Sequence, residues 1–318
     1  MHANFFKWTV VRFTSFLLKK VYNVKPYPST NQEKQLVGEI RSFCRDNPEE
    51  DFKKLHASER EWIKISNKLK KKILTKDPRE FLRWNIIIET MTPLFAPYLS
   101  YELNFLKNLT NWKDCWSNVI IESNIGHPIP YFKYPKSSGN VIHQAYALAE
   151  FETRTGTSIN SLDLILQFGG GYGCMARLAK KLGFNGTYII FDLPLISALQ
   201  KFYLKTNNIP ISQESLKEII CLSDIKALKT VLSNKSFERS LFIANWSLSE
   251  APIELRLNIL SLISQFHFFL ISYQDDFKGI NNVSFFNNWV EQIKDRYQFQ
   301  KWKVPYFLKN TYLVGQIL

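Results

Sequence analysis

The chain contains few cysteines, and their spacing suggests neither a disulfide framework nor a metal site. The four are Cys44, Cys115, Cys174 and Cys221. A small secreted domain held by disulfides carries cysteine more densely, and a zinc module carries closely paired ligands. The pattern therefore indicates reduced thiols in a cytoplasmic protein, and no metal site is predicted.

Acidic side chains are also scarce. The 318 residues include 28 acidic and 41 basic side chains, which gives a formal net charge of +13. The excess is concentrated in residues 1–135, which hold 22 basic and 14 acidic side chains. Such a surface can face nucleic acid, anionic lipid or an anionic glycan, or it can be a solvated helix surface without a partner.

No apolar run is long enough to cross a bilayer. The best candidate, residues 5–18, is short and is interrupted by Lys7 and Arg12. A helix over residues 3–18, followed by Lys19 and Lys20, can instead lie at a membrane interface, pack on other helices or join a homodimer. A peripheral position at the inner membrane therefore stays open for this cytoplasmic chain.

The first part of the chain has helical spacing with few strand signals, in residues 31–45, 49–74 and 78–106. Prolines, serines and a glycine are dense from 128 to 139 and predict a linker. We therefore expect a helical region over 1–135, on the lid and acceptor side, and a catalytic domain over 136–318. A helix over 140–153 is expected to lead into the first strand of that domain.

The segment Leu162–Pro194 has the order strand, glycine turn, helix, strand and terminal acid. Its first strand is apolar without alternation, as in a parallel strand covered on both faces. Glycines at 169, 170, 171 and 173 allow a sharp turn close to a ligand. Asp192 follows at the separation at which an acid binds ribose hydroxyls. The order predicts a pocket for a nucleotide-like cofactor.

Two glycine spacings overlap here and indicate different cofactors. Gly169-x-Gly171-x-Gly173 is typical of S-adenosylmethionine (SAM) methyltransferases, whereas Gly171-x-Gly173-x-x-Ala176 satisfies the dinucleotide fingerprint. The downstream order favours SAM, because strands at 241–245 and 268–272 are followed by a hairpin over 297–304 and 312–317. We therefore predict an α/β fold with a seven-stranded, Rossmann-like methyltransferase sheet and an N-terminal helical region.

Three motifs in this region, FGGGYG, YIIFDLP and LFIANWSLSE, occur in order. From Gly126 to the C-terminus the chain resembles a family of sugar O-methyltransferases found in bacterial surface-glycan gene sets. The resemblance implies SAM-dependent methyl transfer to a hydroxyl of a sugar or surface-glycan intermediate in polysaccharide biosynthesis, with no nucleic-acid partner. That family usually carries an acid where Gln167 stands; glutamine can still hydrogen-bond the glycine turn.

The predicted cofactor contacts follow the strand ends. The turn glycines would line the methionine and ribose side, Asp192 would accept the ribose hydroxyls, and Asp224 would either meet the adenine or cap a helix. The full predicted set is Gln167, Gly169, Gly171, Tyr172, Gly173, Asp192, Asp224 and Asn245.

The predicted catalytic and acceptor residues lie around the fourth strand and on the helix before the first. Glu250 is the first candidate for the base, although Ser247 and Glu250 also fit a helix-capping box. His143 and His127 are further candidates for the base. The predicted acceptor contacts are Glu122, Gln144, Tyr146, Trp246 and Ser247.

Two other enzyme classes remain as alternatives. A nucleic-acid (RNA) methyltransferase fits the basic composition, but the base-flipping tetrad of Asn/Asp-Pro-Pro-Tyr type is missing after the fourth strand. An NAD-dependent oxidoreductase fits the second glycine spacing, but no hydride-site arrangement such as Tyr-Lys or His-Asp is found in the sequence.

Overall fold

The computed structural model describes residues 28–49, 55–94, 96–212, 218–233 and 238–318. The predicted interfacial helix over 3–18 lies outside these residues. Within them, no helix combines the length and the apolar character that crossing a bilayer requires.

Helices form the first part of the described chain. The α-helices are Asn31–Asp46 (α1), Ala57–Thr75 (α2), Asn85–Met91 (α3), Tyr98–Asn108 (α4) and Ser117–Val119 (α5), with a 3₁₀ turn at Pro78–Arg83 and a π turn at Trp112–Trp116. Helix α1 begins with a capping box, in which Thr30 Oγ accepts a hydrogen bond from Glu33 N and the Glu33 carboxylate accepts one from Thr30 N. The stretch expected to be helical from 78 to 106 is broken, because prolines 93 and 97 interrupt it.

A hairpin leads into the long helix that covers the site. Strands Pro130–Tyr131 (β1) and Tyr134–Ser138 (β2) pair antiparallel, and helix α6 follows at Gly139–Thr155. Ser138 caps α6 by accepting a hydrogen bond from Val141 N. Most of α6 is buried on more than one side, since it packs against α4 and against the helix that follows the first sheet strand.

The central sheet has seven strands. They are Leu164–Phe168 (β3), Thr187–Phe191 (β4), Ile219–Leu222 (β5), Ser240–Asn245 (β6), Phe268–Gln274 (β7), Tyr297–Trp302 (β10) and Asn310–Ile317 (β11), and their order is β10-β11-β7-β6-β3-β4-β5. The first five strands are parallel, and every residue of β3 and β4 is buried, as the unbroken apolar runs predict. A small antiparallel pair, Asp276–Phe277 (β8) and Ile280–Asn281 (β9), follows β7.

The two C-terminal strands decide between the two sheet types that the sequence allows. A dinucleotide-binding sheet continues with a sixth parallel strand. Here β11 runs antiparallel between β7 and β10, and β10 pairs with it antiparallel at the edge. The predicted terminal hairpin is thus confirmed, and the chain has the Rossmann-like methyltransferase sheet.

Helices cover both faces of this sheet. The remaining ones are Cys174–Lys181 (α7), Pro194–Thr206 (α8), Ile225–Ser233 (α9), Ser247–Glu250 (α10), Ile253–Leu262 (α11) and Asn282–Ile293 (α12). One hydrophobic core joins α6, α7 and α8 to α1–α4, and a second core holds α9, α11 and α12 against the other face. The N-terminal helices therefore share a continuous core with the sheet.

Candidate functional site

The glycine turn, Gly169–Gly173, follows β3 at the carboxyl edge of the sheet, and its glycines have different surroundings. A Cβ on Gly169 would collide with Ser247, and one on Gly170 would collide with Ile190. Gly171 has positive φ, and no atom lies within 4 Å of where its Cβ would be. Gly169 and Gly170 are therefore required by packing, whereas Gly171 leaves open space into which a ligand can reach.

Asp192, at the end of β4, is tied to this turn. Its Oδ2 accepts hydrogen bonds from Gly170 N at 2.8 Å and Gln200 Nε2 at 2.9 Å, and its Oδ1 accepts one from Leu193 N at 2.8 Å. Burial raises the pKa of Asp192 to about 7, although these three donors and the backbone N–H of Gly171 lower it. An oxygen with two lone pairs accepts two hydrogen bonds, so Oδ1 can accept one more.

The turn after β6 brings the opposite wall of the site close to the glycines. Trp246 has a positive φ of 62°, which is rare for a bulky residue. Its backbone N donates to Ser272 O, and its indole Nε1 donates to Asn310 Oδ1 at 2.8 Å. Ser247 Oγ donates to Phe168 O. The strained backbone is thus held on both sides, and such strain is often found at functional sites.

Glu250 ends helix α10 and is largely enclosed. Its Oε2 accepts a hydrogen bond from Trp62 Nε1 at 3.0 Å, and its Oε1 accepts one from Gln274 Nε2 at 3.2 Å. Burial raises the pKa of Glu250 to about 7. The capping-box alternative is wrong. Ser247 donates to the end of β3, and the Glu250 carboxylate accepts from Trp62 and Gln274 rather than from the start of the helix.

His143 lies on α6 beside the same turn. Its Nδ1 is 2.7 Å from Glu102 Oε1, and its ring stacks on Trp246 with centroids 4.9 Å apart. The next residue, Gln144, accepts a hydrogen bond at Oε1 from Asn245 Nδ2 at 3.3 Å. The structure therefore brings His143, Gln144, Asn245 and Trp246 together.

Three predicted contacts are buried away from the open space. The Gln167 amide oxygen accepts a hydrogen bond from the Tyr188 hydroxyl rather than from the glycine turn. Tyr172 is 2% exposed and packs on Phe81, and its hydroxyl accepts from Asn140. Tyr146 is fully buried.

The Tyr146 hydroxyl donates to Glu150 at 2.7 Å. The predicted roles of Gln167, Tyr172 and Tyr146 at the ligand therefore have no support in the positions of their side chains, which belong to the core.

Three other predicted residues have local structural contacts. Glu122 pairs with Arg177 at 2.8 Å, with both side chains at most 9% exposed. Asp224 accepts a hydrogen bond from Ala227 N and so caps α9, which is the alternative that the sequence left open. The carbonyl of His127 accepts from Arg83 Nε, and burial lowers the pKa of the His127 ring.

A surface groove of about 480 Å³ opens beyond the end of β7. Its lining includes Asp275, Asp276 and Lys303, and Lys303 lies 3.5 Å from the Asp275 carboxylate. Gln274, the residue before Asp275, donates from its side-chain amide to Glu250, and its backbone carbonyl accepts from Asn282.

Sequence reasoning missed several of these partners. Trp62 and Glu102 come from the N-terminal helices, and Gln274 and Gln200 from the end of β7 and from α8. No short motif marks them, since their partners are distant in sequence. A general signal existed only for Glu102, as an acid within an apolar helix stripe.

Comparison with known proteins gives structural neighbours only. Neither a family profile nor a curated protein matches the chain. The methyltransferase domain of bacterial CtHen1 is 11% identical, with 55% of this chain and 97% of that chain covered and a TM-score of 0.40. The N-terminal domain of human METTL16 in complex with SAH is 8% identical, with 55% and 70% covered and a TM-score of 0.39. The 16S rRNA methylase ArmA is 15% identical, with 56% and 86% covered and a TM-score of 0.35.

These superpositions are partial, and the fold assignment rests on the strand order. The name of the 16S rRNA methylase ArmA nevertheless contradicts the predicted partners, a sugar or glycan acceptor with no nucleic acid. That prediction is wrong as stated and is dropped.

Proposed function

We propose that this protein is a SAM-dependent methyltransferase that acts on a hydroxyl acceptor. The observation that carries the proposal is the open space at Gly171 beside Asp192, at the crevice of a sheet whose C-terminal strands are antiparallel. In open α/β sheets, ligands bind beyond the carboxyl ends of the strands where the strand order reverses, and here that point lies between β3 and β6.

The residues at this edge fit the cofactor. Asp192 Oδ1 can accept a ribose hydroxyl, and the backbone at Gly171 can be approached closely because it carries no side chain. When bound, SAM supplies a methyl group that is activated by its sulfonium. We infer that the chain's own part is to hold the acceptor in line with that methyl group and to take its proton.

Two groups on the opposite wall can accept a proton. The pKa of Glu250 is raised to about 7, close to the value at which a general base works best at neutral pH. His143 lies on the neighbouring helix and stacks on Trp246. Both approach the turn that packs on Gly169.

Calorimetry with SAM, S-adenosylhomocysteine and NAD tests the cofactor assignment. We expect the first two to bind and NAD not to bind. Asp192→Asn should weaken SAM binding about tenfold or more, because a good hydrogen bond to a charged group contributes about 1.5–3 kcal/mol. Binding of NAD without SAM would overturn the proposal.

RNA is the acceptor class that we propose second, and the net charge of +13 favours it. Exposed lysines of the N-terminal helices, such as Lys71, are suited to phosphate contacts. Transfer of radiolabelled methyl from SAM to RNA, protein and small-molecule fractions of an extract identifies the class. RNA binding that does not weaken between low and high salt would argue against an RNA substrate.

A further inference from the structure

A buried hydrogen bond between a carboxyl group and an imidazole connects the N-terminal helices to the wall of the site. Glu102 of α4 and His143 of α6 lie 2.7 Å apart, and their side chains are 0% and 6% exposed. Taking a carboxyl group and an imidazole out of water is unfavourable unless both are hydrogen-bonded. Apolar side chains would fill this space at less cost, so the pair calls for an explanation.

We propose that His143 is the general base of the acceptor site and that Glu102 is its positioning residue. This proposal rests on the methyltransferase function proposed above. It selects between the two groups on this wall that can accept a proton.

The position of His143 supports this role. Asn140, His143 and Gln144 lie on one face of α6, and Asn140 contacts Tyr172 in the glycine turn while Gln144 contacts Asn245 at the end of β6. His143 itself stacks on Trp246, with an interplanar angle of 21°. The imidazole therefore lies between the glycine turn and the end of β6.

The hydrogen bond to Glu102 fixes which ring nitrogen is basic. In the proposed dyad Glu102 is ionised and accepts from Nδ1–H, and Nε2 keeps its lone pair. Burial raises the pKa of Glu102, and the contact with His143 opposes that rise. Glu102 Oε2 accepts no hydrogen bond from the described residues, so this carboxylate is committed to the imidazole alone.

The surrounding side chains restrict the ring. Tyr98 and Phe307 lie 5.2 Å and 6.0 Å from it, centroid to centroid, and Trp246 covers one face. Around Glu102 the titratable neighbours are Tyr98 and Tyr312, whose pKa values are raised and which therefore stay neutral. Glu102 is thus the only charged partner that the described residues place at the imidazole.

The reaction step is balanced as follows. The acceptor oxygen forms its bond to the methyl carbon while the carbon–sulfur bond breaks, and the electron pair of the broken bond stays on sulfur. The hydroxyl proton passes to Nε2 of His143, and the resulting imidazolium is stabilised by the Glu102 carboxylate. Glu250 is less suited to this step, because the hydrogen bonds from Trp62 and Gln274 lower its pKa and so weaken it as a base.

Nitrogen NMR of the histidine rings tests the geometry without turnover. With five histidines in the chain, His143 is assigned by comparison with His143→Gln. We expect the Nδ1–H tautomer in the wild-type protein and a mixture of tautomers in Glu102→Gln. A wild-type Nε2–H tautomer at His143 would overturn the proposal.

Kinetics test the role in catalysis. In the extract fraction that the wild-type protein methylates, His143→Gln should lower kcat about 100-fold or more with SAM affinity unchanged. Glu102→Gln should lower it about 10-fold to 100-fold, and Glu102→Asp should restore part of the loss. Unchanged kcat in His143→Gln would overturn the dyad alone, whereas a wild-type protein that does not bind SAM would overturn the methyltransferase function as well.

Discussion

The two halves of the candidate site are built in different ways. The cofactor half consists of the glycine turn and Asp192, and all its parts come from one strand–helix–strand unit and the helix after it. The acceptor half consists of His143, Trp246 and Glu250 with their partners, and its parts come from α2, α4, α6, β7 and α10.

The difference shows what each half depends on. Backbone groups, the Asp192 carboxylate and the Gln200 amide form the cofactor half, so its geometry depends on one continuous segment of the chain. The acceptor half requires that the N-terminal helices dock on the sheet, because Trp62 and Glu102 belong to them. Substitutions should therefore separate the two halves in stability and in ligand binding.

The largest expected effect concerns the buried ion pair of Glu122 and Arg177. Glu122→Ala leaves Arg177 buried without its carboxylate, and breaking a buried pair in this way costs about 3–5 kcal/mol. Glu39→Ala is the control, since Glu39 pairs with Lys205 at a similar distance but both are over 40% exposed. Urea unfolding measures both. Normal stability with weakened acceptor binding would instead restore the original prediction of Glu122 as an acceptor contact.

The second test compares two glycines of the same turn. Gly169→Ala should destabilise the protein by about 1–3 kcal/mol, because the new methyl collides with Ser247 in a tight core. Gly171→Ala meets no atom, so its stability loss should be limited to the strain of positive φ, about 1–2 kcal/mol.

The effects on SAM binding should have the opposite order, with the larger loss in Gly171→Ala than in Gly169→Ala. SAM affinity should fall at least tenfold in Gly171→Ala, and thermal unfolding with and without SAM separates this loss from the loss of stability. Equal SAM affinity in Gly171→Ala and the wild type would mean that the open space is not the cofactor site.

The third test uses pH. Because the pKa of Glu250 is raised from 4.5 to about 7, the native state binds this proton more tightly than the unfolded chain. Stability from this group is therefore complete at low pH and is lost as the pH rises between these values. Between pH 5 and pH 8 the free energy of unfolding should fall by about 1–3 kcal/mol less in Glu250→Gln than in the wild type.

Asp192→Asn should act in the same direction, since the pKa of Asp192 is raised from 3.8 to about 7. Asp224→Asn, at an exposed helix cap, is the matched control. A Glu250→Gln profile parallel to that of the wild type would contradict the burial argument.

The sequence predicted the cofactor half better than the acceptor half. Apolar runs located β3, β4, β6 and β7 to within about two residues, because strands covered on both faces leave a local pattern. The same pattern does not show to which face of the sheet a side chain points. With both faces buried, nothing in the sequence shows that Gln167 points to Tyr188 and away from the glycine turn.

The acceptor half depends on contacts that no local pattern contains. Trp62 meets Glu250 across 188 positions of the chain, and Glu102 meets His143 across 41. The chain has eight tryptophans, and Trp62 lies on an otherwise ordinary amphipathic helix. Its partner could only be found once the docking of α2 on the sheet was known.

The last test concerns that docking contact. Trp62→Phe keeps the apolar body of the side chain but removes the donor to Glu250 Oε2. At pH 8, where Glu250 is mostly ionised, the lost hydrogen bond should cost about 1.5–3 kcal/mol, and at pH 5 about 0.5–1.5 kcal/mol, because bonds to charged groups are stronger. Lys278→Ala removes a neighbouring but exposed pair with Glu61 and should change stability by less than about 1 kcal/mol at either pH. If Trp62→Phe costs the same at both values, the indole does not stabilise the charged form of Glu250, and the N-terminal helices hold the acceptor half by packing alone.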